Sequence, residues 1–261
     1  MLTACEGGIL NLQYTGERFI PDCRKVPEIN ARCHIERYLF AKNFVPGAFV
    51  LDAACGAGYG ADILKNQGKA GKVIGVDICP ETVAWCKSHY PDITFLVQDV
   101  ENLDFPDEFF DVVVSFETIE HIAGGMPWIE ESWRVLKKGG LLIISSPNRN
   151  VTAPGKTLSD RPANKFHYFE YNQAEFQEAL SRCYEITGLY GQRFVPLKAL
   201  RNQRILQKLG LLQHLLKPLL LKLKPPDKKN GVTNKPDCPV KELNNYSAPR
   251  YLIAVCRKPG E

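Results

Sequence analysis

Two carboxylates and an imidazole crowd into Glu117-Thr118-Ile119-Glu120-His121. A helix beginning at Glu117 would set Glu117, Glu120 and His121 at i, i+3 and i+4, on one face. Such a set suits a divalent cation that takes oxygen and nitrogen donors. The later segment Asn164-Lys165-Phe166-His167-Tyr168-Phe169-Glu170 offers a further donor. Two other readings stay open: His121 as a lone general base, or an acidic start that complements a helix dipole.

A second constellation lies upstream. Val50-Leu51-Asp52-Ala53-Ala54-Cys55-Gly56-Ala57-Gly58-Tyr59-Gly60 follows an apolar run and opens a helical stretch. Small residues there let backbone amides approach a ligand. Asp77 ends the next apolar run (VIGVD), where a carboxylate can grip both hydroxyls of a ribose. Asp99 stands just past the third run, placed to accept an adenine amino group. Each aspartate alone reads as a helix cap or loop residue, but three in order at strand ends point to a nucleoside-type ligand. A dinucleotide fingerprint requires G-x-G-x-x-G, whereas Gly60 here follows Gly58 after a single residue.

The elements that must carry these groups alternate. Apolar runs at 48–53, 72–76, 93–97, 110–116 and 141–145 are separated by helical stretches near 60–66, 81–89 and 128–136, the last stopped by Gly139-Gly140. The continuously apolar FDVVVSF at 110–116 is typical of a strand buried on both faces. A helix over 29–43 precedes this pattern, and a helix at 173–181 with strands at 184–190 and 251–256 follows it. Such βαβ alternation predicts a doubly wound α/β fold around a mostly parallel sheet.

Over Ala48 to Ser146 the sequence resembles the class I S-adenosylmethionine-dependent methyltransferase family. The resemblance implies a Rossmann-like sheet of seven strands and S-adenosylmethionine as cofactor. It assigns Asp52, Ala54, Gly56 and Gly58 to the methionine part, Asp77 with Ile78 to the ribose, and Asp99 with Val100 to the adenine, with Phe116 alongside. Ala54 stands where the family has its first glycine. The E-x-x-E-H with a later histidine resembles small-RNA 2′-O-methyltransferases and ubiquinone-biosynthesis O-methyltransferases. Carried over, the ligands of a Mg2+ or Mn2+ ion are Glu117, Glu120, His121 and His167, with His121 and Glu117 as catalytic candidates. Thr15-Gly16-Glu17-Arg18-Phe19-Ile20-Pro21 and His34-Ile35-Glu36-Arg37-Tyr38 resemble bacterial methyltransferases encoded among sugar and surface-glycan genes. Arg18 or Tyr14 would then reach the methionine carboxylate from an N-terminal lid.

Bulk properties narrow the partners. A net charge of +4 over 261 residues argues against a dedicated nucleic-acid binder. Nine cysteines without a C-x-x-C pair read as reduced thiols of a cytoplasmic protein, and the first residues lack the basic start and apolar run of a signal peptide. The expected organisation is a lid at 1–45, a core at 46–195, a basic leucine-rich insertion and loop at 196–249, and a last strand at 250–261. The amphipathic stretch 200–217 suits peripheral membrane contact, packing on its own domain, or a homodimer interface. The function expected is O-methylation of a sugar or glycan-like acceptor. A quinone- or phenol-directed O-methyltransferase and a non-catalytic cofactor-binding subunit are the alternatives.

Overall fold

The computed structural model describes Ile20 and residues 27–200 and 238–260. Tyr14, Arg18 and the stretch expected as a helix over 200–217, Leu200 apart, lie outside the described residues. In chain order the elements are α1 (Glu28–Ala41), β1 (Phe49–Ala53), α2 (Tyr59–Asp62), β2 (Lys72–Asp77), α3 (Pro80–His89), β3 (Thr94–Val97), β4 (Phe110–Ser115), α4 (Met126–Val135), β5 (Leu136–Pro147), α5 (Arg149–Thr152), α6 (Gln173–Ser181), β6 (Glu185–Pro196), β7 (Lys241–Glu242) and β8 (Ser247–Arg257).

The strands form one sheet in the order β3-β2-β1-β4-β5-β8-β6-β7. β1 to β5 pair in parallel, and β8 enters antiparallel between β5 and β6. An eighth, two-residue strand, β7, extends the expected seven at the edge. Strand order reverses between β1 and β4, and in such sheets the carboxyl ends at the reversal open a crevice for ligands. Strand residues alternate between two cores. Leu51, Val113, Leu142 and Ile144 pack with Trp128 and Ile129 of α4 and Phe176 of α6. Val50, Val112, Val114 and Ile143 pack with Tyr38 of α1 and Val83 and Cys86 of α3. Burial on both faces is why these strands are mostly apolar.

Two local expectations need correction. No helix begins at Glu117: that residue has φ +53, and only a 3₁₀ turn, Ile119–His121, follows. The reversal is held from β5, where the Ser145 hydroxyl accepts from the Glu117 amide at 3.0 Å and donates to Glu117 Oε1 at 2.7 Å. Gly139 does not stop α4 either. The helix ends at Val135, because Leu136 already pairs with Phe110 as the start of β5, and Gly139 (φ +74) lies within that strand segment.

Candidate active site

A cleft of about 930 Å3 lies at the carboxyl ends of β1, β2 and β4. Ala54, Gly56, Asp77, Ile78, Asp99, Val100 and Phe116 line it. After β1 the chain turns with positive φ at Ala54, Gly56 and Gly58, and the Cys55 amide donates to Val76 O at 2.8 Å, tying the turn to β2. The Asp77 carboxylate clamps it further: Oδ2 accepts from the Gly56 amide at 3.1 Å and Oδ1 from the Cys79 amide at 2.9 Å. Asp99 Oδ1 accepts from the Glu101 amide at 3.0 Å, which fixes the loop after β3. Ile78, 68% exposed, is an apolar rim residue.

Two residues assigned to the cofactor stand behind the cleft wall. Asp52 is fully buried and accepts from the Tyr38 hydroxyl at 2.8 Å. Burial pushes its carboxyl up to about 7. Gly58 faces the interior, where a Cβ would come within 3.0 Å of Cys86 Sγ and 3.1 Å of the Phe95 and Tyr90 rings. Both shape the turn from beneath. Gly60 has a similar reason, since a Cβ there would overlap the Tyr38 ring at 2.1 Å. That close approach lets α1 close over the turn.

At the other end of the cleft Glu120, His121 and His167 each offer a ligand atom within 4.8 Å of the others. His121 Nδ1 lies 3.1 Å from Phe166 O, and His167 Nδ1 lies 2.8 Å from Glu170 Oε1. Each acceptor oxygen draws the ring proton to Nδ1, the arrangement that orients metal-binding histidines, and His167 Nε2 faces the Asn164 amide nitrogen at 2.9 Å. Thr152 in turn donates to Glu170 Oε2, so the His167 support is itself held. Glu120 is fully buried, and neither of its carboxylate oxygens meets a hydrogen-bond donor among the described residues. Burial, reinforced by the negative charge of Glu117, holds its carboxyl well above the usual range. Such an orphaned group is costly unless something cationic or protic faces it.

Glu117 does not join this cluster. Its left-handed backbone and Ser145 swing the carboxylate toward Arg37, whose Nη1 is 4.0 Å away, so three of the four residues expected as ligands come together. Arg37 is fully buried, donates to Gln192 Oε1 at 3.1 Å and sits over the Tyr251 ring at 4.8 Å. Burial opposes its charge, but the Glu117 carboxylate together with Tyr251, Tyr59 and Cys33 outweighs it and its pKa is raised.

The methyltransferase-domain family matches residues 51–144. A probable S-adenosylmethionine-dependent methyltransferase of Mycolicibacterium smegmatis is 39% identical over 183 residues, 69% of this chain and 68% of that protein. The chain belongs to the S-adenosylmethionine-dependent methyltransferases. Over a shorter span, a ubiquinone biosynthesis O-methyltransferase of Bradyrhizobium diazoefficiens is 34% identical across 126 residues, 46% of this chain and 49% of that protein. Among solved structures, a SAM-dependent methyltransferase of Thermotoga maritima, described as a possible histamine N-methyltransferase, aligns with a TM-score of 0.59 over 88% of this chain and 91% of that one. At 18% identity that likeness concerns the fold.

The lid expected over residues 1–45 includes α1, but the sequence of this methyltransferase did not single out the residues by which α1 walls the cleft. Asn30, His34 and Tyr38 line it at intervals of four residues, with Arg37 beside them. That spacing is visible in the sequence, but a polar stripe on a helix usually faces solvent. Tyr251, from the last strand, also lines the cleft and carried no local signal. Among the described residues no helix is long and apolar enough to cross a membrane.

Proposed function

We propose that this methyltransferase transfers the methyl group of S-adenosylmethionine to a hydroxyl of a sugar or glycan-like acceptor, and that Glu120, His121 and His167 hold a divalent cation at the acceptor end. The single observation that carries the cation is Glu120, a buried carboxylate with both oxygens unpartnered, beside two histidines already oriented through Nδ1. That donor set, one carboxylate and two imidazoles, fits Mg2+ or Mn2+ and leaves room for acceptor oxygens.

In this reading Asp77 grips the ribose hydroxyls, Asp99 and Val100 receive the adenine, and Ile78 and Phe116 cover its apolar faces. The turn from Ala54 to Gly56 presents backbone to the methionine part. The cofactor supplies an electrophilic methyl on a sulfonium, and a bound cation would lower the pKa of the acceptor hydroxyl. With the cation held by His121 Nε2, no lone pair is left on that ring for a proton, and the acidified hydroxyl would lose its proton to solvent. Without a cation the same Nε2 would take it as general base while the methyl is transferred. Glu117, anchored by Ser145, accepts a hydrogen bond from the acceptor and orients it for in-line displacement. Asn30, His34, Thr152 and Asn164 make the acceptor end polar, which suits a polyhydroxylated molecule. The ubiquinone relative favours a second reading, a catechol or phenol acceptor.

Transfer of labelled methyl from S-adenosylmethionine to a panel of sugars and catechols, with and without EDTA, tests both halves. The proposal expects a methylated sugar hydroxyl and turnover abolished by EDTA. Turnover indifferent to EDTA would remove the cation, and methylation of catechols alone would replace the sugar by the second reading.

A further inference from the structure

A second cavity, of about 370 Å3, opens where β6, β7 and β8 meet the start of α1. Arg193 of β6, Lys241 of β7 and Arg250 of β8 line it, and none of the described residues lining it is acidic. Arg193 and Arg250 oppose each other across the antiparallel ladder, since Gln192 pairs with Tyr251 on one side and Phe194 with Pro249 on the other. Like charges directly opposite destabilise a sheet. Arg193 also holds φ +53, a left-handed backbone that favours glycine. Strain of this kind collects at ligand clamps. Arg193 Nη1 donates to Asn30 Oδ1 at 3.2 Å, whereas the Arg250 guanidinium makes no hydrogen bond or ion pair among the described residues.

Opposed arginines with a lysine around one cavity are what an anion resolves. Guanidinium forks match phosphoryl oxygens two at a time, and a lysine adds a point charge. A carboxylate would be satisfied by one arginine, while three cations suit a group with several charged oxygens. Arg250 and Asn30 connect this cavity to the main cleft: Arg250 lines both, and Asn30 lines the cleft while holding Arg193.

We propose that this cavity binds a phosphoryl or diphosphoryl group carried by the acceptor, so that the substrate is a phosphorylated or diphosphate-linked sugar. The sugar half of that statement rests on the proposed O-methyltransferase reading; the anion site does not.

Calorimetry on the full chain, with inorganic pyrophosphate as probe and S-adenosylhomocysteine binding as a control, separates the two. Saturable pyrophosphate binding is expected, weakened at least tenfold in the Arg193→Gln/Lys241→Gln double variant and largely kept in Arg193→Lys. S-adenosylhomocysteine affinity in the double variant should match the unaltered chain, which shows that the cleft is intact. UDP-glucose or UDP-galactose should bind at least tenfold tighter than pyrophosphate. Absence of saturable pyrophosphate binding, or equal binding by the double variant, would overturn the site. Pyrophosphate binding as tightly as both sugar nucleotides would overturn its assignment to the acceptor, while normal S-adenosylhomocysteine binding would leave the methyltransferase reading standing.

Discussion

Removing the charge of Glu117 should cost more stability than removing that of Arg37, although the two face each other across the same gap. The separation is 4.0 Å, with the Arg37 side chain 0% and the Glu117 side chain 15% exposed. At an effective dielectric near 20 a pair at that distance attracts by about 4 kcal/mol. In Glu117→Gln the guanidinium cannot shed its proton and stays in the interior with Gln192 Oε1 and the Tyr251 ring as its remaining partners. Its Nε and Nη2 already lack acceptors among the described residues. The expected loss is about 3–4 kcal/mol, within the range for a buried pair deprived of one member. In Arg37→Met the carboxylate keeps the Ser145 hydroxyl and borders the cleft, so the expected loss is about 1–2 kcal/mol. Urea unfolding of both variants and of the double variant, followed by tryptophan fluorescence, gives the order and the coupling. A loss below about 1 kcal/mol for Glu117→Gln, or a larger loss for Arg37→Met, would refute the reasoning.

The remaining expectations are more local. Burial lifts the Asp52 carboxyl from 3.8 to about 7, so the folded chain keeps a proton there that the unfolded chain releases. The resulting stability is present below about pH 4 and is lost as pH rises toward 7, by at most about 4 kcal/mol. Asp52→Asn should flatten that slope, and identical pH profiles of unfolding would contradict it. Ala54→Gly should raise stability by about 0.5–1 kcal/mol in thermal melts, because relief at φ +54 outweighs the added freedom of the unfolded chain; a drop in melting temperature would argue against it. Asp77→Ala should weaken S-adenosylhomocysteine binding by about ten- to a hundredfold. Unchanged affinity in a folded variant would remove Asp77 from the ribose site.

Much of this molecule is legible from its residues because the relevant physics is local. β1, β2, β4 and the centre of β5 read as mostly apolar runs because both faces are buried. α6 was expected over 173–181 and occupies Gln173–Ser181, where Asn172 and Glu175 form a reciprocal capping box. The misreadings arise where distant residues decide. The left-handed turn at Glu117 depends on Ser145, 28 positions away, and with it goes the metal role given to Glu117. Asp52 matched the family pattern, yet Tyr38 from α1 draws its carboxylate into the interior. Nothing local to Arg37 signals that Gln192 of β6 and Tyr251 of β8 close around it.

Electron paramagnetic resonance titration of Mn2+ into the chelator-treated full chain, with S-adenosylhomocysteine present, tests most directly whether Glu120, His121 and His167 form a cation site beside the cofactor cleft. The three-ligand arrangement predicts one saturable Mn2+ site that is lost in Glu120→Gln and in His167→Ala and retained in Glu117→Gln. Absence of Mn2+ binding by the unaltered chain, or loss of the site in Glu117→Gln to the same degree as in Glu120→Gln, would contradict it.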